Sequence, residues 1–381
     1  MAALAALPPA LRRDPSVDYY EGCFMVTLNV RDVCPVLGMM AGHPMAADDS
    51  PDAPHVELSA LGEQVLQCWQ QIPQYYPNVE LLEAQVMPEH FHGLLRIRRV
   101  DKKPLGRVIG GFMIGCTHAY WDCLGIEWRG SNQLPPQQDS QHRKSKRGDA
   151  LFVRGYNDVV AIDEKDVESE AKYIRDNARR RIIKSGYPDR FGVARQLRTH
   201  SWSLDVALGT LTADPYIGRH RDAYEEARLA LLPRLRAEAD GRIALDLVGD
   251  RSLLTQHRLL PLICHRADAG RFEEQKAAVM REARAGAVIV SAFISPRERD
   301  IYHQLLLERL PVIEIMDNGF SQRYKPGGRS FYACAEARLL QVTTWSYLYQ
   351  HETRVSREMC LVMNQLARVI CKVDDRWWTS V

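Results

Sequence analysis

The chain contains no Cys-x-x-Cys pair, no apolar run approaching a membrane span, no Walker-type phosphate loop and no internal repeat. Nor is there an excess of either charge: 50 Lys and Arg stand against 48 Asp and Glu, a formal charge of +2. Each absence excludes something. Nine cysteines, an odd number with no metal-knuckle spacing, argue for reduced thiols over a disulfide framework or thiolate zinc site. The start, "MAALAALPPALRRDPS", lacks the basic-then-apolar order of a secretory signal, so a cytoplasmic protein with no membrane partner is expected. With no global positive field, any nucleic-acid binding must come from local clusters.

Two such clusters are present. "HRKSKR" carries Arg143, Lys144, Lys146 and Arg147, and "ARRRIIK" carries Arg179, Arg180, Arg181 and Lys184. A cation run is ordinarily a solvated surface, and it becomes a phosphate-binding element only beside other signals.

At 381 residues the chain exceeds one average domain, and a hydrophobic content of 46% is enough for two cores. The first half mixes strands and helices irregularly. Strands are expected at Gly22–Val30, around "EHFHGLLRI" and in "LFVRGYNDVVAI". Helices are expected in "VELSALGEQVLQCWQQI", from Leu105 to about Cys123, and across "DEKDVESEAKYIRDNARRRII". The last has an acidic first turn, a basic last turn and one stripe of Val167, Ala171, Ile174, Ala178 and Ile182. "MMAGHPMAADDSPDAPH" and "NQLPPQQDSQHRKSKRGD" read as loops. Beyond a charged helical connector, short apolar strands ("ALDLV", "LPLICHR", "GAVIVSAFI", "PVIEIM", "LLQVTTW") alternate with helices, the pattern of a covered parallel sheet. The expected organisation is a first domain over residues 1–200, a helical connector over 201–240 and a second domain over 241–381.

The most informative short stretch is "MPEHFHGLL". Residues two apart on a strand share a face, so His90 and His92 point one way and Phe91 points into the core. Two imidazoles so placed are either an ordinary histidine pair or two ligands for one cation, and the pair alone leaves both open. About eighty residues on, Tyr173 and Asn177 stand four apart on one helix side, bordering its apolar stripe. Tyrosine offers a nucleophilic oxygen and asparagine a neutral carbonyl. Imidazole nitrogen with neutral oxygen suits Mg²⁺ or Mn²⁺ better than structural zinc. A tyrosine packed at the edge of a core is the plainer alternative.

Together, "MPEHFHGLL" and "LFVRGYNDVV…YIRDNARRR" resemble the single-tyrosine HUH transposases, especially the REP-associated tyrosine transposases, over roughly residues 18 to 185. The resemblance implies an α+β domain, ferredoxin-like, with an antiparallel sheet. It implies His90, His92 and Asn177 as ligands of a divalent metal and Tyr173 as the nucleophile. The reaction implied is cleavage and transfer of single-stranded or hairpin-flanked DNA through a 5′-phosphotyrosine. The two basic runs would hold the DNA backbone, and Tyr120, Trp121 and Trp128 are candidates for stacking on unpaired bases, though such aromatics are more often core. Glu89 stands where these families usually place Asn, and Ala178 where Pro commonly follows. The resemblance leaves monomer and homodimer both open.

"GDRSLLTQHRLLPLICHR" and "VIVSAFISPRERDIYHQLL" resemble the α/β Rossmann-like core of the DNA-processing protein A group, a parallel-sheet domain, over roughly residues 245 to 345. Gly249, Leu253, Leu254, Arg266, Ser291, Asp300 and His303 fit its pattern. Cys264 and Ala292 occupy glycine positions, and side chains there crowd the backbone approach to a phosphate. Three readings follow: a metal-dependent DNA nickase-ligase, a non-catalytic binder of single-stranded or hairpin DNA, and a nucleotide-sensing Rossmann protein.

Overall fold

The computed structural model describes residues 16–34, 36–99, 103–125, 150–348 and 355–380. It is a mixed α/β protein of two compact units, Met1–Gly186 and Tyr187–Val381.

The first unit is built on four strands, β1 (Gly22–Asn29), β4 (Val79–Met87), β5 (His90–Ile97) and β6 (Asn157–Ala161). They lie in the order β4-β5-β1-β6 with every neighbouring pair antiparallel. Between β1 and β4 run a small hairpin, β2 (Gly38–Ala41) and β3 (His55–Leu58), and the helices α1 (Ala60–Gln70) and α2 (Ile72–Tyr75). Helix α3 (Leu105–Cys123) joins β5 to β6, giving a β-α-β-β-α-β connectivity. Helices α4 (Glu164–Arg175) and α5 (Asn177–Gly186) follow.

Strand alternation divides the sheet into two faces. Phe24, Val26, Leu28, Phe91 and Leu95 pack with Val65, Trp69, Val108 and Phe112 of α1 and α3 to form the main core. Met25 and Leu94 point the other way and pack on Ala171 and Ile174 of α4. Helix α1 starts where the Ser59 hydroxyl accepts the Gly62 N–H, and α4 where the Asp163 carboxylate accepts those of Lys165 and Asp166.

Among the described residues the second unit holds six strands: β7 (Ala194–Ser203), β8 (Arg242–Gly249), β9 (Leu259–Pro261), β10 (Val288–Ser291), β11 (Val312–Ile315) and β12 (Leu339–Thr343). Their order is β7-β8-β12-β11-β10-β9. Strands β9 to β12 are parallel, as their alternation with helices implies. The expected parallel sheet is a mixed one, because β8 runs antiparallel to β12 and a further strand, β7, antiparallel to β8. Ile243 to Gly249 are all buried, so β8 reads as a covered strand whichever way it runs.

Four further expectations change. The division falls at Gly186/Tyr187 rather than at residue 200. Segment 201–240 is not a connector: Trp202, Ala207, Leu211, Ile217, Ala227 and Leu231 share one core with Leu245, Leu247 and Val342 of the sheet. The proposed loop after β1 overlaps the β2–β3 hairpin at both ends, residues 39–41 lying in β2 and His55 opening β3. Residues 56–58 of the expected helix continue β3, and α1 starts only at Ala60. The long acidic-to-basic helix is interrupted, α4 ending at Arg175 with Asp176 as its C-cap and α5 beginning at Asn177.

Candidate functional site

The second face of the first sheet carries the site. Cross-strand neighbours in an antiparallel sheet share a face. Thr27 of β1 lies opposite His92, Asn29 opposite His90, and Gln85 of β4 opposite His92 from the other side. A polar lane therefore continues the line of the apolar Met25–Leu94 contact beneath α4. The His90 and His92 rings stand 4.7 Å apart between centroids and nearly perpendicular, at 85°. Phe91, between them, is fully buried on the opposite face. The His92 ring is oriented by Thr27, whose Oγ1 lies 2.9 Å from Nδ1.

Helix α4 brings the tyrosine. Ala171 and Ile174 hold the helix to Met25 and Leu94, and Tyr173 packs beside them, half-buried. Its ring centroid lies 5.7 Å from that of His92 with the planes at 81°. Arg175 fastens the helix further, donating to Glu83 of β4 at 2.9 Å and to Glu168 at 2.7 Å. His90, His92 and Tyr173, far apart in sequence, thus share one small surface. Asn177 opens α5, one residue beyond the α4 cap, and its Nδ2 is buried without a hydrogen-bond partner among the described residues. The O and N of an amide are interchanged by a simple flip, so the same side chain can turn its carbonyl to that position.

The residues that could hold a divalent cation are His90 and His92, the latter with Nδ1 held by a hydroxyl, and Asn177, an amide with an unsatisfied buried atom. Among the described residues no three His, Cys, Asp or Glu side chains come together as a metal cluster. A cation here would rest on His90, His92 and Asn177.

The basic residues divide by what they touch. Arg179 donates to the Pro44 carbonyl at 3.2 Å and pairs with Asp48 at 2.7 Å. Arg181 pairs with Glu89 at 2.7 Å. The Arg180 guanidinium lies over the Tyr173 ring, 5.7 Å from its centroid. Lys184 is exposed. Arg143, Lys144, Lys146, Arg147 and Trp128 lie outside the described residues. Tyr120 and Trp121 fall on the last turn of α3, Tyr120 partly buried against the main core. Thr27 and Glu89 carry site contacts that sequence reasoning missed. A hydroxyl inside the otherwise apolar "FMVTL" was the available signal for Thr27.

In the second unit the resemblance positions have mostly packing roles. Gly249 adopts φ +114°, and a Cβ there would meet the Leu339 carbonyl oxygen at 2.1 Å. Leu253 is buried, Arg266 exposed, and Asp300 pairs with Lys276 at 2.6 Å. The buried Ser291 hydroxyl accepts the Phe293 N–H. His303 borders a cavity of about 500 Å³ with Tyr302, Leu306, Leu307, Arg329 and Ser330. At the ends of β9 and β10, the backbone N–H groups of Cys264, Ile294 and Ser295 all donate to the Glu298 carboxylate at 2.9 Å. A protein carboxylate thus takes the donors that a phosphate would need. Burial first, then Glu298, pushes the Cys264 thiol up to about 12, so it is no thiolate nucleophile.

No protein-family model matches the chain. An uncharacterised protein of Haemophilus influenzae (strain Rd) is 43% identical over 42 residues, 11% of this chain and 23% of that protein. The chain therefore matches under a quarter of that relative's length. Among solved structures, a REP-associated tyrosine transposase bound to a REP hairpin is similar over 43% of this chain and 72% of that one. Its identity to this chain is 13% and the TM-score 0.28. A candidate transposase from Deinococcus radiodurans R1 is similar over 44% of this chain and 97% of that one, with 14% identity and a TM-score of 0.22. Both are weak likenesses over less than half of this chain. No helix among the described residues is long and apolar enough to cross a membrane.

Proposed function

We propose that the first unit is a metal-dependent single-stranded DNA endonuclease and strand transferase, acting through Tyr173 on hairpin-flanked DNA. The observation that carries this reading is the placement of Tyr173 edge-on to His92, itself 4.7 Å from His90 between ring centroids, on one sheet face. A protein that only bound DNA would have no need of a phenol beside two imidazoles.

In this reading His90, His92 and Asn177 hold a Mg²⁺ or Mn²⁺ ion, which when bound supplies Lewis-acid polarisation of the scissile phosphate. Thr27 keeps the His92 ring turned to its task. The Tyr173 oxygen attacks phosphorus, the P–O3′ bond breaks, and the phenolic proton is passed on as the 3′ oxygen leaves as a hydroxyl. The 5′-phosphotyrosine conserves the bond energy, so a 3′-hydroxyl from the same or another strand can reverse the step without ATP. Exposed Lys184, with the basic segment 142–147, would track the backbone. The second unit, whose strand-end donors are taken by Glu298, enters without nucleotide chemistry.

The test is incubation of labelled single-stranded and hairpin oligonucleotides with Mn²⁺, followed by denaturing electrophoresis. Wild type should form a denaturant-resistant adduct, and Tyr173→Phe should form none. An adduct of equal yield from Tyr173→Phe would reject the assignment.

A further inference from the structure

Helix α5 continues from α4 through Asp176, whose N–H donates to the Lys172 carbonyl and whose carbonyl accepts the Arg180 N–H. It adds contacts of its own that fix its face. Two of these lie on the hairpin side: Arg179 to Asp48 and to the Pro44 carbonyl. A third reaches the histidine strand. Arg181 Nη1 lies 2.7 Å from Glu89 Oε1, and that same oxygen lies 3.5 Å from His90 Nδ1. Glu89 is only 8% exposed, a rare state for a carboxylate without a cation beside it. Its backbone is fixed independently, because Val30 N–H donates to the Glu89 carbonyl and Leu37 N–H to that of Pro88. The turn is thus a firm anchor, and the helix is the part being drawn to it.

Asn177 and Arg181 are four residues apart within α5, so they lie on one helix face. Glu89 immediately precedes His90. A tie from Arg181 to Glu89 therefore draws the face that bears Asn177 towards the end of β5 that bears His90. We infer that Glu89 and Arg181 are positioning residues, whose ion pair holds Asn177 and His90 where they can share one divalent cation. This rests on the metal-site reading above. Arg181, its side chain 47% exposed, is accordingly assigned to the Glu89 tie rather than to DNA.

The experiment is Mn²⁺ titration of the full-length, DNA-free protein by electron paramagnetic resonance, with unfolding midpoints measured in parallel. The proteins are wild type, Glu89→Gln, Arg181→Gln, Arg181→Lys and His92→Ala. Loss of a supporting partner around a metal ligand typically weakens binding about 10–100-fold. That loss is expected for Glu89→Gln and Arg181→Gln, with Arg181→Lys recovering most of it and the folds intact. Wild-type Mn²⁺ affinity in both glutamine variants would overturn the inference while leaving the metal site standing. An equal deficit in Arg181→Lys would overturn it too, since the ion pair would not be the cause. If wild type binds no more Mn²⁺ than His92→Ala does, the site reading fails and the inference falls with it.

Discussion

The Tyr173 ring meets the His92 ring edge to face, 5.7 Å between centroids, although 81 positions separate the two residues. Neither side chain is placed by the other. His92 is fixed by the pleat of β5 and by Thr27, and Tyr173 by the apolar contact of Ala171 and Ile174 with Met25 and Leu94. Several consequences of this arrangement can be measured.

Two cations of α5 should behave differently on substitution. Lys184 is exposed, so Lys184→Ala should weaken DNA binding alike for all sequences and lower the salt slope by about 1. Arg179 bridges Pro44 and Asp48, so Arg179→Ala should instead cost about 1 kcal/mol of folding stability. Filter binding across a salt series, with denaturant unfolding of both variants, checks the pair. A large salt-slope change from Arg179→Ala alone would contradict it.

Gly93 follows His92 on β5, and a Cβ there would lie 2.4 Å from the Trp69 ring and 2.9 Å from that of Phe91. Gly93→Ala should therefore destabilise the first unit by about 1–3 kcal/mol, the ordinary cost of overpacking a core. Because the clash is under the histidine strand, Mn²⁺ binding should weaken too. A urea midpoint equal to wild type would show that Trp69 can move aside.

A pH effect is expected in the second unit. His265 Nε2 lies 2.5 Å from Asp375 Oδ2, and Arg368 donates to the other oxygen at 2.8 Å. The bond to Asp375 raises His265 above its usual 6.5. Burial alone would raise Asp375, but the hydrogen bonds from His265 and Arg368 reverse this and hold it low. A raised folded value stabilises fully below pH 6.5 and fades as pH climbs through it. The stability gap between wild type and Asp375→Asn should hence narrow from pH 6 to pH 9, by about the loss of one charge-assisted bond. Chemical denaturation at intervals of about one pH unit would show it. A gap that widens with pH would refute the pairing.

Glu298 is the acceptor for three backbone N–H groups at the sheet's strand ends. Glu298→Ala leaves those donors without their carboxylate and should cost at least about 2 kcal/mol, and Glu298→Gln less. With the carboxylate in place, mono- and dinucleotides should give no thermal shift in the wild-type protein. A saturable shift would restore the nucleotide-sensing reading of this unit.

Much of the site was legible because strand and helix periods are rigid. Alternation put His90 and His92 on one face and Phe91 in the core, and the structure agrees on all three residues. The run from Leu105 to Cys123 is a helix over that span. The break at Asp176 was not legible, since "YIRDNARR" contains neither Gly nor Pro and its apolar spacing runs straight through. Strand β7 was hidden because Arg195, Arg198 and His200 give it the composition of a basic surface. Yet Arg195 and Arg236 both pair at 2.7 Å with Asp246, which is fully buried.

Local chemistry alone determined which groups this protein could offer: two imidazoles on one strand face, a phenol and an amide on a later helical segment, and no thiolate cluster. Only the tertiary structure decided that α4 lies across the face bearing the imidazoles rather than the opposite one. That choice depends on Met25 and Leu94, apolar residues beside the polar lane, finding Ala171 and Ile174, with Leu82 and Val167 packed against them. It likewise decided that Arg181 meets Glu89 and that β8 runs against its neighbours. Such pairings depend on distance in space, and residue spacing along a chain carries no record of it.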